Sequence, residues 1–160
     1  MADKDTYVLK FDGACKGNPG ASGGGAIMYR VDDTGAQHEI FRCGVYIPHA
    51  TNNQAEYAGL IAGLKHAKKY GIKQLTIVGD SQLVVRQITG RYRVNSPNLI
   101  AQYTEAKKLM ENFEARVTHV LRHFNSDADA VANSVVLNRA DLCVSTQFGA
   151  SEVCMACPTQ

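Results

Sequence analysis

The pattern of apolar and polar positions reads as three strands, a helix, a strand, two helices, a strand and a final helix. Residues 7–11 make the first short strand, with Asp12 at its end. The glycine-rich stretch 17–25 reads as a loop, in which Asn18-Pro19-Gly20 supplies turn chemistry. Strands over 24–31 and 39–47 follow, joined by a hairpin at Asp32-Asp33-Thr34-Gly35, and such short runs between turn signals suit an antiparallel meander. Thr51-Asn52-Asn53-Gln54 is a capping-box pattern opening a helix that ends at Gly71, with Glu56 in its first turn. Residues 75–78 are a short, wholly apolar strand of the kind covered on both faces, and Asp80 follows it. Helices are expected over 81–88 and 97–113, and a last strand over 116–121. Ala128, Val131, Ala132, Val135 and Val136 form a stripe at helical spacing, which puts Asp129 in the first turn of the final helix.

Four carboxylates therefore stand at comparable places: Asp12 and Asp80 at strand ends, Glu56 and Asp129 at helix mouths. Sites in open α/β sheets gather there. Hard cations such as Mg²⁺ are held by one or two carboxylates each, with waters and substrate phosphate completing the shell. A pair of them roughly 4 Å apart can stabilise both the attacking and the leaving oxygen of a phosphoryl displacement. A single Asp is more often a helix cap or a solvated charge; four together read as a two-metal nuclease centre.

Composition adds limits. A chain of 160 residues is one domain by length, and 45% hydrophobic with 20% charged residues is ordinary for a soluble globular protein. The net charge is only +2. With four acids concentrated in one place, the remaining surface must be more positive than that total. Lys16, Lys65, Lys68, Lys69, Arg86, Arg91, Arg93, Arg116 and Arg122 are the candidate phosphate contacts, most of them expected to be simply solvated. No apolar N-terminal run suggests a secretory signal, and none approaches the ~20 residues of a membrane span. Five cysteines, an odd count, fit a reducing, intracellular compartment. Cys154 and Cys157 form a lone CxxC; zinc wants four ligands, and only Cys143 and a distant histidine could join them. A tail thiol pair that oxidises in air is the simpler reading.

The strings DGxxxxNPGxxGxG, NNxAEY, GDSxLV and NxxADxxAN occur here in order from about Tyr7 to about Arg139. In these the chain resembles the type 1 ribonuclease H family. The resemblance implies a ribonuclease H-like α/β fold: a five-stranded mixed sheet, three antiparallel strands then two parallel, with helices on both faces. It implies an endonuclease that cleaves the RNA strand of RNA–DNA hybrids with two Mg²⁺ ions, or Mn²⁺ in their place, leaving 5′-phosphate and 3′-hydroxyl ends. The metal ligands would be Asp12, Glu56, Asp80 and Asp129; the family's NxxAD string selects Asp129 over the neighbouring Asp127.

Other roles carry over from the resemblance alone. Asn18, Asn52 and Asn53 match contacts to the RNA strand, and Thr51 matches a pocket for a DNA-strand phosphate while also capping its helix. His123 stands near a mobile catalytic histidine of the family, and Arg122 aligns with an arginine of its shorter branch. The segment between Gly90 and Pro97 is too short for the family's basic protrusion, and no hybrid-binding module precedes the domain. A minimal monomeric catalytic domain over 1–140 is expected, with weak, salt-sensitive affinity and a cysteine-containing tail over 141–160. Two alternatives stay open: a non-catalytic nucleic-acid-binding remnant of a reverse transcriptase, and a related nuclease that also cuts double-stranded RNA.

Overall fold

Eleven residues, Thr6–Lys16, buried at Leu9, Phe11 and Asp12, form β1, the strand on which the sheet is built. In the computed structural model, which describes residues 6–146, β1 pairs antiparallel with β2 (Gly20–Val31), and β2 with β3 (Gln37–Ala50). Helix α1 (Asn52–Lys69) crosses back, so that β4 (Gln74–Gly79) enters parallel to β1 on its other side. Helices α2 (Gln82–Ile88) and α3 (Pro97–Met110) precede β5 (Glu114–His119), which runs parallel to β4. A 3₁₀ turn at Arg122–Phe124 leads into α4 (Ser126–Asn138). The sheet order is β5-β4-β1-β2-β3-β6.

The sixth strand corrects the expected five. Leu142–Ser145 forms β6, antiparallel to β3 at the sheet edge, with Cys43 opposite Cys143 and Phe41 opposite Ser145. Part of the stretch set aside as a tail thus belongs to the sheet; the Cys154/Cys157 pair lies outside the described residues. No helix among the described residues is long and apolar enough to cross a membrane.

The glycine-rich loop is the second correction. Only residues 17–19 turn; the remaining glycines lie in β2. They are there because two helices press on that strand from opposite faces. A methyl on Gly24 would come within 2.3 Å of the Gly59 nitrogen in α1. On the other face, a methyl on Gly25 would come within 2.7 Å of the Ala132 nitrogen in α4. Contacts under 3.0 Å to backbone cannot relax, so the absent side chains are the condition for both helices to seat.

The main core lies between the sheet and α1, where Tyr57, Leu60 and Leu64 bury against Leu9, Phe11, Met28 and Phe41. The entry to α1 is a complete capping box. The Thr51 hydroxyl accepts from the Gln54 N–H at 3.2 Å, and Gln54 Oε1 accepts from the Thr51 N–H at 2.8 Å. At the other end Gly71 takes the left-handed conformation, φ 77°, as expected. Thr51→Ala is expected to cost about 1 kcal/mol, read as a lower urea midpoint at unchanged slope. An unchanged midpoint would show that the helix holds its start without the cap.

Candidate active site

Register brings the first two acids together. The last parallel rung between β1 and β4 is Phe11 opposite Gly79. Asp12 and Asp80 are the next residues on each strand, where the ladder stops and the chains diverge. Asp12 itself stays inside β1, opposite Gly25, rather than at the strand's end as its motif suggested.

The helices deliver the other two. In α1, Gly59 lies against the Asp12 carbonyl and Gly25, and Glu56 is three residues before it. In α4, Ala132 lies over Gly25, and Asp129 is again three residues before. Each acid thus sits one turn ahead of its helix's closest approach to the same Asp12–Gly25 rung. Gly13 clears the way for α1, since a methyl there would come within 2.5 Å of the Glu56 nitrogen. Glu56 is the fifth residue of α1, in its second turn rather than the first.

Oxygens of Asp12, Glu56 and Asp80 lie within 4.8 Å of one another. Asp129 flanks this trio: its charge acts on Asp12 and Asp80 and raises the pKa of both. Asn133 holds Asp129 in place through Nδ2, which donates to its Oδ1 at 3.1 Å. Asp127 faces elsewhere. Its Oδ2 accepts from the Tyr29 hydroxyl at 2.6 Å and from Lys10 Nζ at 3.2 Å, so its charge is already answered.

The trio is held at an electrostatic cost. Burial, then the Asp80 charge, raises the Asp12 pKa to about 7, against one lowering contact from the Gly13 N–H. Burial, then the charges of Asp12 and Asp80, raises Glu56 to about 9. Asp80 is raised mainly by burial and is held back by a hydrogen bond from Asn125 and by the Arg122 charge. Two oxygens, Glu56 Oε1 and Asp80 Oδ2, are buried with no hydrogen-bond partner. Clustered, partly orphaned carboxylate oxygens are an all-oxygen donor set, the chemistry that suits Mg²⁺ or Mn²⁺.

Around this group the remaining candidates divide. Arg122 is exposed, and its charge acts on Glu56 and Asp80. The His123 ring lies on Phe124 with centroids 4.0 Å apart, and no hydrogen bond or ion pair among the described residues ties it to the acids. Asn18 Oδ1 accepts from the Asn52 N–H at 2.9 Å, tying the turn after β1 to the start of α1. Thr51, Asn53 and Asn18 line a groove with Gln87, Arg93 and Asn95.

Two residues had been given no role. Asn125 is fully buried; its Nδ2 donates to the Phe11 carbonyl at 2.9 Å, and its amide lies close enough to Asp80 to lower that carboxyl's pKa, so it stands between the two strand ends. It opens the NxxAD string, which was the available signal. His119 Nε2 lies 3.2 Å from the Asp80 carbonyl, and nothing in its local sequence marks it.

Residues 10–135 match the family described as reverse transcriptase-like. Ribonuclease HI of Halobacterium salinarum is 40% identical over 127 residues, covering 79% of this chain and 62% of that protein. The bifunctional protein Rv2228c of Mycobacterium tuberculosis is 40% identical over 131 residues, and the chain spans only 35% of its length. The solved N-terminal ribonuclease H domain of that protein superposes with a TM-score of 0.77 at 36% identity, over 84% of this chain and 96% of that one. A ribonuclease H1 solved in complex with an RNA/DNA hybrid gives 0.73 at 28% identity, over 84% of this chain and 99% of that one. With its six-stranded mixed sheet, helices on both faces and acids gathered at the Asp12–Gly25 rung, the chain belongs to the type 1 ribonuclease H family.

Proposed function

We propose that this chain is an endoribonuclease that hydrolyses the RNA strand of RNA–DNA hybrids, leaving 5′-phosphate and 3′-hydroxyl ends. The observation that carries the reading is the trio Asp12, Glu56 and Asp80, the first buried and the others half-buried, mutually repelling and partly without hydrogen-bond partners. Such a cluster opposes its own charge unless cations complete it. Asp12, Glu56 and Asp80 would hold two Mg²⁺ ions, or Mn²⁺, with Asp129 at their edge. Bound there, they supply Lewis acidity that acidifies water and neutralises charge on the departing 3′ oxygen.

The chain's own groups place the substrate. At the start of α1 the Thr51, Asn52 and Gln54 N–H groups are already bonded, so the Asn53 N–H is the amide left to draw a phosphate there, one turn before Glu56. Asn18 spends its carbonyl on Asn52 and keeps its NH₂ for a ribose or phosphate oxygen. Thr51 and Arg93, on the shared groove, suit a phosphate of the DNA strand, Arg93 by charge and fork geometry. Arg122, whose charge acts on Glu56 and Asp80, would steady substrate phosphate there.

Matched RNA–DNA, RNA–RNA and DNA–DNA duplexes, with Mg²⁺, Mn²⁺ and EDTA, test the reading. Metal-dependent cleavage of the hybrid alone is expected. Binding without cleavage would make the chain a non-catalytic remnant, and equal cleavage of double-stranded RNA would make it a nuclease of broader choice. Asn53→Ala is expected to lower hybrid cleavage up to about tenfold, the worth of about 1 kcal/mol of hydrogen bonding. The loss should be smaller on a substrate already 2′-deoxy at the contacted riboses, because the 2′-hydroxyl is what distinguishes the strands. Equal losses on both would place 2′-hydroxyl recognition elsewhere.

A further inference from the structure

A second chemically capable cluster lies in the layer between β3, β6 and α1. Cys43 and Cys143 are directly opposite in the antiparallel β3–β6 pair. Opposed residues project to the same face of a sheet, with Cα atoms about 4.5–5.5 Å apart, inside the range of about 4.4–6.8 Å that a disulfide spans. Both are buried thiols, 1% and 7% exposed, so neither can turn aside into solvent. His66, from α1, closes the group with Nε2 at 3.1 Å from Cys143 Sγ.

The hydrogen-bond roles of His66 follow from its other nitrogen. Nδ1 lies 2.9 Å from the Ala62 carbonyl, which can only accept, so Nδ1 carries the proton. Burial lowers the His66 pKa and keeps the ring neutral. Nε2 then presents a lone pair, and the Cys143 S–H donates to it. A thiol that donates to an imidazole lone pair has an acceptor in place for its proton as its sulfur is oxidised.

We infer that Cys43 and Cys143 are a site of reversible oxidation, closing to a cross-strand disulfide with hydrogen peroxide as oxidant. Cys143 sulfur attacks the peroxide, its proton passing to His66 Nε2; the O–O bond breaks, the departing hydroxide takes that proton back from His66 and leaves as water, and Cys143 becomes a sulfenic acid. Cys43 sulfur then displaces the second oxygen as water. Two thiols lose two electrons and two protons in all, and one peroxide becomes two waters. While it is closed, the bond fastens to β3 covalently the four-residue edge strand β6, which also contacts His66 of α1 and the Tyr70 hydroxyl just after that helix.

The test uses the full chain, reduced and then exposed to graded hydrogen peroxide in EDTA, with non-reducing peptide mapping and thermal melts. A Cys43–Cys143 linked peptide lighter by two hydrogens is expected. It should accompany a melting temperature raised on the order of 5–10 °C and reversed by dithiothreitol. Cys143→Ala should abolish both linkage and shift. Thiols at 43 and 143 that stay reduced while Cys15 oxidises would overturn the proposal, as would Cys143 linked to Cys154 or Cys157. A parallel sample with Zn²⁺ alone separates the remaining possibility. One equivalent bound, with both thiols protected from alkylation, would make this a metal site instead. The wild-type map decides even if the alanine variant fails to fold.

Discussion

Asp12→Asn is expected to lower hybrid cleavage on the order of a thousandfold or more while raising the melting temperature of the metal-free protein. Asparagine keeps the side chain's shape and an oxygen for the Gly13 N–H, but it removes the charge that a cation requires. Cation stabilisation of phosphoryl transfer is worth several kcal/mol, and each ~1.36 kcal/mol is tenfold in rate. The stability gain has a separate origin. Burial and the neighbouring carboxylates hold the Asp12 pKa near about 7, so at pH 8 its charge works against the fold. Asp127→Asn is the contrasting change: it weakens the tie to Lys10 and Tyr29, lowering stability with cleavage retained. A near-normal rate for Asp12→Asn in Mg²⁺, or a fall in its metal-free melting temperature, would remove Asp12 from the proposed centre.

Metal-free protein should lose stability steadily from about pH 4 to about pH 9, and Mg²⁺ should cancel most of that loss. Unfolded, Asp12 and Glu56 release their protons near 3.8 and 4.5; folded, they keep them to about 7 and about 9. Across that window the folded state binds more protons, so raising the pH favours unfolding. The stabilising contribution is complete below about pH 4 and is gone above the folded values. Thermal melts in EDTA should fall on the order of 10 °C between pH 5 and pH 9. Millimolar Mg²⁺ binds the ionised acids of the folded state alone and should flatten the curve. Parallel curves with and without Mg²⁺ would mean that the three acids do not share an ion.

Much of the site could be read from the chain because each acid is embedded in a local signal. A strand, a capping box, a strand end and an apolar helical stripe were visible around Asp12, Glu56, Asp80 and Asp129, although the first strand runs on past Asp12 to Lys16. What could not be read depends on distant partners. Gly23, Gly24 and Gly25 have the composition of a loop, and only the two helices pressing on β2 explain why they form a strand. Leu142–Ser145 is too short to show alternation, and its partner β3 lies about a hundred residues earlier in the chain. Asn125 bonds the Phe11 carbonyl and acts on Asp80 across three separate segments, so its motif could mark it without assigning its work.

The two helices touch a single rung of the sheet from opposite sides, each one turn past its acid. A cation held among these acids would therefore respond to interlayer distance. A chain with its helices formed but its layers drawn apart by a few ångströms would keep its circular-dichroism spectrum and lose the ion. Affinity for Mn²⁺, followed through its paramagnetism, would then serve as a gauge of tertiary closure, sensitive to loosening that far-ultraviolet spectra do not register. A substitution buried beneath α4, far from any substrate, would reveal itself first as a weaker metal.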